Sequence, residues 1–223
     1  MIENILGQIF PTEYGIAPAS IYVPIVRHNV PFSVSDPNAC GSCQANPQRA
    51  NRAGCNHEIL KVNNNGEEIA LVSYEQYIAQ YSQNIGERCD LLMTDSGMGR
   101  RKIVFCDLSC CSEAFVEPNT GKYPQGKRAT ARQQMGRSID ALIKQHVTAV
   151  NLLTYHEKVC LFAWRDYDVP DVPVLATRGN ARSNVQVFGC PVSNMAKVTT
   201  THHQKVGHDF TFMQVKYPTE YIW

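Results

Sequence analysis

Apolar residues keep no steady period through the first third of this chain, and fall into helical and strand periods from about Ser73 onward. Ser73-Tyr74-Glu75-Gln76 has the form of a capping box, and Tyr74, Tyr77, Ile78 and Tyr81 recur at helical spacing. A short helix is therefore predicted to run to about Asn84 and to end at Gly86. Two short apolar runs follow, 88–93 and 102–109, around a polar turn carrying Gly97 and Gly99, which predicts a β-hairpin. After a loop holding Pro118, Gly121, Pro124 and Gly126, the stripe Ala131, Met135, Ile139, Leu142 and Ile143 predicts a second helix over about 128–146. The continuous apolar run 159–164 reads as a buried strand. The order is helix, strand, strand, helix, strand, with an earlier strand at 58–62 or 68–72 placed to flank it.

Upstream, 21–26 reads as an edge strand, because Pro24 cannot donate to a ladder. A long loop over about 36–56, rich in Asn, Gly, Ala and Cys, comes next. Loops of that length in compact domains are commonly functional or stapled. Beyond Asp168 the chain is polar and β-prone, with runs at 184–188, 197–201 and 210–216 that read as an accessory sheet. The predicted fold class is α/β, a mixed central sheet flanked by helices. The divisions are an N-terminal segment with a Cys/His loop (1–66), a core (67–167) and an accessory β region packed on it (168–223). The chain shows no internal repeat and no low-complexity segment.

The candidate chemistry lies in the hairpin. Asp90 and Asp107 sit at the inner ends of its two arms, so pairing would bring two acids together in an apolar sheet. Side chains alternate along a strand, so Asp107 and Ser109 share one face while Val104, Cys106, Leu108 and Cys110 share the other. Buried unpaired carboxylates are costly and call for a metal or a cation between them. Two oxygen ligands on adjacent strands suit Mg²⁺ or Mn²⁺, which keep several waters. In the competing reading Asp90 caps a strand and pairs with Arg88 or Arg101, and Asp107 is an isolated hydrogen-bonded core acid.

This layout resembles the PD-(D/E)xK nuclease superfamily over roughly residues 70–165. In that family a helix bearing an acid precedes the sheet, an Asp begins the second core strand, and a D/E-x-K tripeptide lies on the third. A helix that often carries Gln then leads to a fourth strand. The resemblance implies a restriction-endonuclease-like core in which Glu75 is the helix acid, Asp90 the strand acid, and 103–109 the tripeptide strand. Gln133 and Gln134 lie on the following helix. The family Lys, which positions the attacking water, is replaced by Ser109. A cation from the next helix, Lys127, Arg128 or Arg132, would have to substitute, or the fold persists without the chemistry. Proteins of this sort act as effectors beside partner proteins in defence or mobile-element systems, which is an implication of the resemblance alone.

Cys40-x-x-Cys43 is followed by Cys55-x-His57 in the long loop. Cys-x-x-Cys presents two thiolates to one metal from a tight turn. Three Cys and one His complete the closed shell of a structural zinc, although Cys-x-His is shorter than common spacings. Buried free thiols, or a transient disulfide between Cys40 and Cys43, are the alternatives. Cys106, Cys110 and Cys111 read as core packing. His202, His203 and His208-Asp209 read as strand-surface residues or as a second metal site.

The bulk properties add limits. The chain has 223 residues and a net charge of +1, so no whole-chain argument for nucleic acid exists. Its positive residues are nonetheless uneven: Lys102, Lys122, Lys127, Arg128, Arg132 and Arg137 crowd with Arg100 and Arg101 near the middle. Such a strip can hold a phosphate backbone or be an ordinary solvated face, and Arg100, Arg101, Arg128 and Arg132 are its candidate contacts. No secretory signal and no run long enough to span a membrane is present, which predicts a cytoplasmic protein with no membrane partner. Nine cysteines then favour metal ligands or buried thiols over disulfides. Two functions follow: a Mg-dependent nuclease, or a non-catalytic subunit of the same fold whose tail sheet meets a protein partner or a second copy. A third, a zinc-dependent module stacking single-stranded nucleic acid on Tyr74, Tyr77 and Tyr81, conflicts with their core-like spacing.

Overall fold

Nine consecutive residues, Lys102–Cys110, form a strand (β6) buried along its whole length, and the architecture is built outward from it. The computed structural model describes residues 2–35, 58–81, 88–97, 99–111, 113–118, 124–166 and 205–223. On one edge β6 pairs antiparallel with β5 (Leu91–Asp95), which confirms the hairpin. On the other it pairs parallel with β7 (Glu157–Arg165), as a crossover through a helix requires. Outward from β5 lie β4 (Ile69–Ser73) and then the edge strand β1 (Ile25–His28), both antiparallel. Beyond β7 come β9 (Phe210–Lys216), parallel, and β8 (Lys205–Gly207), antiparallel. Among the described residues this makes one mixed sheet of seven strands in the order β1-β4-β5-β6-β7-β9-β8.

A second sheet, β10-β3-β2, is made of β2 (Phe32–Ser35), β3 (Glu58–Asn63) and β10 (Glu220–Ile222). Its apolar side, with Ile59, Leu60, Val62 and Tyr221, packs on the main-sheet face that carries Met93, Val104, Cys106, Leu161 and Val215. Helices cover the opposite face. There Ile103, Phe105, Cys160 and Phe162 meet Ala131, Met135, Ile139 and Leu142 of α3 (Lys127–Ile143). Each such side chain withdrawn from water is worth about 1.5–3 kcal/mol, so the two layers rather than helix propensity hold these elements in place.

Several expectations change. The irregular first third opens with a helical run, α1, made of Ile2–Asn4, a wider π-type stretch Ile5–Ile9, and Phe10–Glu13. Ile2, Ile5, Leu6 and Phe10 form its buried stripe. The helix at Ser73 is a short α2 (Tyr74–Ile78), and Ser73 makes no side-chain cap bond, so the capping box is not realised. Its tyrosines are core residues: Tyr77 Oη donates to Leu6 O at 2.7 Å and Tyr74 Oη to Ser138 O at 3.2 Å. Tyr74 and Tyr77 are both 0% exposed, which removes them as a stacking platform. The second helix stops at Ile143, and a separate α4 (His146–Leu153) precedes β7. The region expected as an accessory sheet contributes β8 and β9 to the main sheet and β10 to the smaller one. Cys40, Cys43, Cys55 and His57, the runs 184–188 and 197–201, Lys122, His202 and His203 lie outside the described residues.

The start of α4 shows how distant chain segments are stapled. Its opening donors are met by a side chain from the far end of the sequence. Glu13 accepts hydrogen bonds from Val147 N (2.7 Å), Thr148 N (2.8 Å) and Thr148 Oγ1 (2.7 Å). Partial burial pushes the Glu13 carboxyl upward, but the bonds from Thr148 and Val147 outweigh it. Its pKa is therefore held below the ordinary value of 4.5. A depressed folded pKa contributes stability that is present above the unfolded value and is lost as pH falls through the folded one. Glu13→Ala is expected to cost about 1 kcal/mol near neutral pH. In urea titrations the gap between mutant and parent should close as the pH drops below 4.5. A gap that does not depend on pH would refute the assignment.

Candidate functional site

The last ladder pair of β5 and β6 is Leu91 with Cys106, and one step further stand Asp90 and Asp107. Asp90 binds the residues on either side of Asp107. Its N–H donates to Cys106 O at 3.1 Å, and its Oδ2 accepts from Leu108 N at 2.6 Å. The backbone carbonyl of Asp90 accepts from Tyr74 N and Glu75 N, which fixes the start of α2 beside it. Leu92 and Phe105, a ladder pair, belong to the helix-side core, and alternation puts Asp107 on that same face, whereas the Asp90 carboxylate lies in line with the ladder on Leu108 N. The anticipated hairpin is present and brings Asp90 against the residues that flank Asp107.

The carboxylates differ in setting. Asp90 is half-buried, whereas Asp107 is 8% exposed, level with Phe162 of β7. Their charges are felt by the thiols around them. Burial pushes the Cys89 and Cys106 thiols well up, and the negative charge of both aspartates pushes them further. Cys106, Cys110 and Cys111 are buried free thiols, as expected of core cysteines.

Two positions beyond Asp107, Ser109 hydrogen-bonds Cys111. Burial raises the Cys111 thiol, and the Ser109 bond and the positive charge of Lys127 draw it partly back. The charge of Lys127, in the first turn of α3, is thus felt at Cys111, one residue past the end of β6. From there α3 runs back over the strand. Ser138 Oγ accepts from Cys89 N at 2.9 Å and donates to Gln134 O at 2.9 Å. One helix edge thus carries Lys127 in its first turn and Ser138, which is bonded to Cys89 next to Asp90. Trp164, the β7 partner of Ser109, is 3% exposed, and its indole N–H has no partner among the described residues. That orphaned donor was not singled out from sequence. Only the register of β7 against β6 exposes it.

Other candidates are placed elsewhere. Glu75 lies in the first turn of α2 with an exposed side chain, and joins the site through its backbone bond to Asp90. Arg100 and Arg101 lie at the opposite end of β6, a strand roughly 26 Å long. Arg100 donates to Asn151 Oδ1 at 2.9 Å and to Thr154 Oγ1, and Arg101 pairs with Glu67 at 2.6 Å. Arg128 and Arg132 are on α3, with Arg128 paired to Glu117 at 2.7 Å. The basic strip is therefore two separate groups. His208 Nε2 meets Asp140 at 3.4 Å, which ties the β8–β9 turn to α3.

A hard divalent ion is chemically suited to two carboxylates on neighbouring strands, provided that water fills the remaining positions. Among the described residues no group of three or more His, Cys, Asp or Glu side chains is arranged to hold a metal. Comparison with protein-family models, with curated proteins and with solved structures finds no match to this chain. No helix of the described residues is long and apolar enough to cross a membrane.

The Asp90–Leu108 bond sets a stability test. Asp90→Ala strips the acceptor from a backbone N–H where the β5 ladder has ended, and is expected to cost about 1–3 kcal/mol. Asp90→Asn, which keeps a carbonyl acceptor, should recover most of that loss in thermal melts. Equal melting of Asp90→Ala and the parent would show that the bond contributes nothing.

Proposed function

We propose that this chain is a nucleic-acid-processing protein with a PD-(D/E)xK-like core, in which Asp90 and Asp107 form the acidic pair of a phosphodiester-hydrolysing site. The observation that carries the reading is Asp90 bonded to both neighbours of Asp107, within a strand–strand–helix–strand unit whose last strand is parallel to the one before it. Asp90 and Asp107 would hold one Mg²⁺ or Mn²⁺. That ion, when bound, would supply charge neutralisation at a phosphate and a more acidic water. Lys127 takes the electrostatic part of the absent family Lys, because its charge reaches the Ser109–Cys111 end of the strand. Ser109 is a hydroxyl and can orient a ligand oxygen but cannot offset charge. Phe105 and Phe162 border the pair and limit the water that reaches it. A structural zinc held by Cys40, Cys43, Cys55 and His57 remains part of the proposal, as does a role as an effector beside partner proteins.

A specific observation favours a second reading, a non-catalytic subunit of the same fold. Asp90 already spends one oxygen on Leu108 N, and Asp107 is nearly buried. In that reading the acids terminate a ladder, and the protein works through a partner protein or a second copy.

Cleavage of mixed DNA and RNA substrates with Mg²⁺ or Mn²⁺ separates the two. Asp107→Ala, verified as folded by circular dichroism, should abolish cutting. Lys127→Met should lower kcat by about 10²–10³, the scale of one lost transition-state donor. No cutting by the parent protein under either metal would reject the catalytic reading in favour of the second.

A further inference from the structure

We propose that Lys216 and the indole N–H of Trp164 form a seat for a phosphate group, a seat that the Glu113 carboxylate occupies in this structure. The expected source of that phosphate, a nucleic-acid strand, rests on the reading above, whereas the seat itself does not. In the register of the three parallel strands, Ser109 of β6 stands beside Trp164 of β7, and Trp164 beside Lys216 of β9. The row before it is Asp107, Phe162 and Gln214. Phe162 and Trp164 belong to the helix-side core, so both rows lie on that face, at the carboxyl ends of the strands.

Two contacts fix the Lys216 ammonium, and they differ in kind. It lies over the Trp164 ring, 4.6 Å from the centroid, within one sheet. A cation there is held by the ring as well as by the strand that carries it. The other contact reaches out of the sheet: Lys216 Nζ donates to Glu113 Oε2 at 2.8 Å, on the single 3₁₀ turn Glu113–Phe115. The side chains of Lys216 and Glu113 are 41% and 70% exposed, and ion pairs in such a setting contribute little. Glu113 can therefore leave while Lys216 stays. Its carboxylate also shows that an anionic oxygen fits against the ammonium.

Trp164 supplies the second donor. It is 3% exposed, and its Nε1–H has no acceptor among the described residues. A buried donor left unmade is costly, and Glu113 meets Lys216 without meeting it. A phosphate presents several oxygens from one centre, so it can meet the ammonium and the indole together, which a tethered carboxylate does not. The other charges at this end of the sheet are Lys127 and Asp166, both felt at Cys111, and the buried Asp107. The seat needs no surplus of positive charge against them, because the ligand exchanges one counter-ion of Lys216 for another. β6 and β9 are two strands apart, about 10 Å, so the seat stands beside the acid pair and shares no residue with it.

The test uses the full chain carrying Trp223→Phe, which leaves Trp164 as its one tryptophan. Its emission is titrated with inorganic phosphate, and separately with a short single-stranded DNA, without divalent metal and at constant ionic strength in chloride. A saturable change in Trp164 emission is expected. Lys216→Gln should weaken binding about ten-fold or more, and Glu113→Gln should tighten it about two- to five-fold. The double variant should bind as weakly as Lys216→Gln alone, because Glu113 acts only through that ammonium. Glu117→Gln removes the same charge nearby and should leave affinity unchanged. That contrast with Glu113→Gln decides the matter if Lys216→Gln does not fold. No emission change with either ligand, equal tightening by Glu117→Gln, or tightening by Glu113→Gln that survives the loss of Lys216 would overturn the proposal. Inorganic phosphate that binds as tightly as the oligonucleotide assigns the seat to free phosphate, and a tighter oligonucleotide assigns it to a nucleic-acid strand. Binding is read without cleavage, so the two proposals fail separately. Lys216-dependent binding with no Asp107-dependent cutting keeps the seat and rejects the nuclease. Asp107-dependent cutting with binding indifferent to Lys216 and Glu113 does the reverse.

Discussion

A strand buried on both faces and paired on both edges has no water for its polar groups, and β6 is such a strand. Every backbone N–H and C=O on it must find a protein partner, and every polar side chain must be matched. The constraint bites where β5 ends. From Asp107 onward, the β5-facing edge of β6 has no ladder partner among the described residues, while the β7-facing edge stays paired as far as Cys110. The Asp90 carboxylate closes the gap by accepting from Leu108 N. Asp90 is thus required by the architecture before any chemistry is asked of it. Asp107 lies one step beyond the same ladder and is nearly as buried as the strand that carries it.

The parts of the fold legible in the sequence were those whose signal is local and periodic. The hairpin, the Ala131–Met135–Ile139–Leu142 stripe and the apolar run of β7 stand where patterning placed them. Local signals failed where a distant residue completes the element. In α4, Val147, Thr148 and Val150 are poor helix formers, and its start is capped by Glu13 from the other end of the chain. Nothing near α4 in sequence announces that partner. The stripe of α1 was present in Ile2, Ile5, Leu6 and Phe10, but Gly7 and Pro11 interrupt it and argue for a loop. Pairing of β9 beside β7 joins segments separated by the whole tail, and alternation within a strand does not say which sheet it enters.

The same distinction governs the candidate site. Residue type and the hairpin were enough to pair Asp90 with Asp107. Charge clustering in sequence was not enough to define a surface, because β6 separates Arg100 and Arg101 from α3 by nearly its full length. Those two arginines are engaged with Asn151, Thr154 and Glu67, and Lys102 is 3.0 Å from Glu157 and lies over the rings of Tyr221 and Trp223. Their charge is spent on joining loops to the sheet.

The long helix α3 joins these parts. One edge carries Lys127, whose charge is felt at Cys111, and Ser138, bonded to Cys89, and other sides carry Arg128, Arg132 and Arg137. The buried stripe between them, Ala131, Met135, Ile139 and Leu142, locks the helix to β6 and β7. A rigid helix with an apolar keel holds its two charged edges at fixed separation, which a loop could not do. The N-terminal turn of α3 lies toward the carboxyl end of β6, the strand at which the sheet changes from antiparallel to parallel pairing. The acid pair, the charge of Lys127 and the Trp164 indole N–H, which has no partner among the described residues, all lie toward that end of the strand.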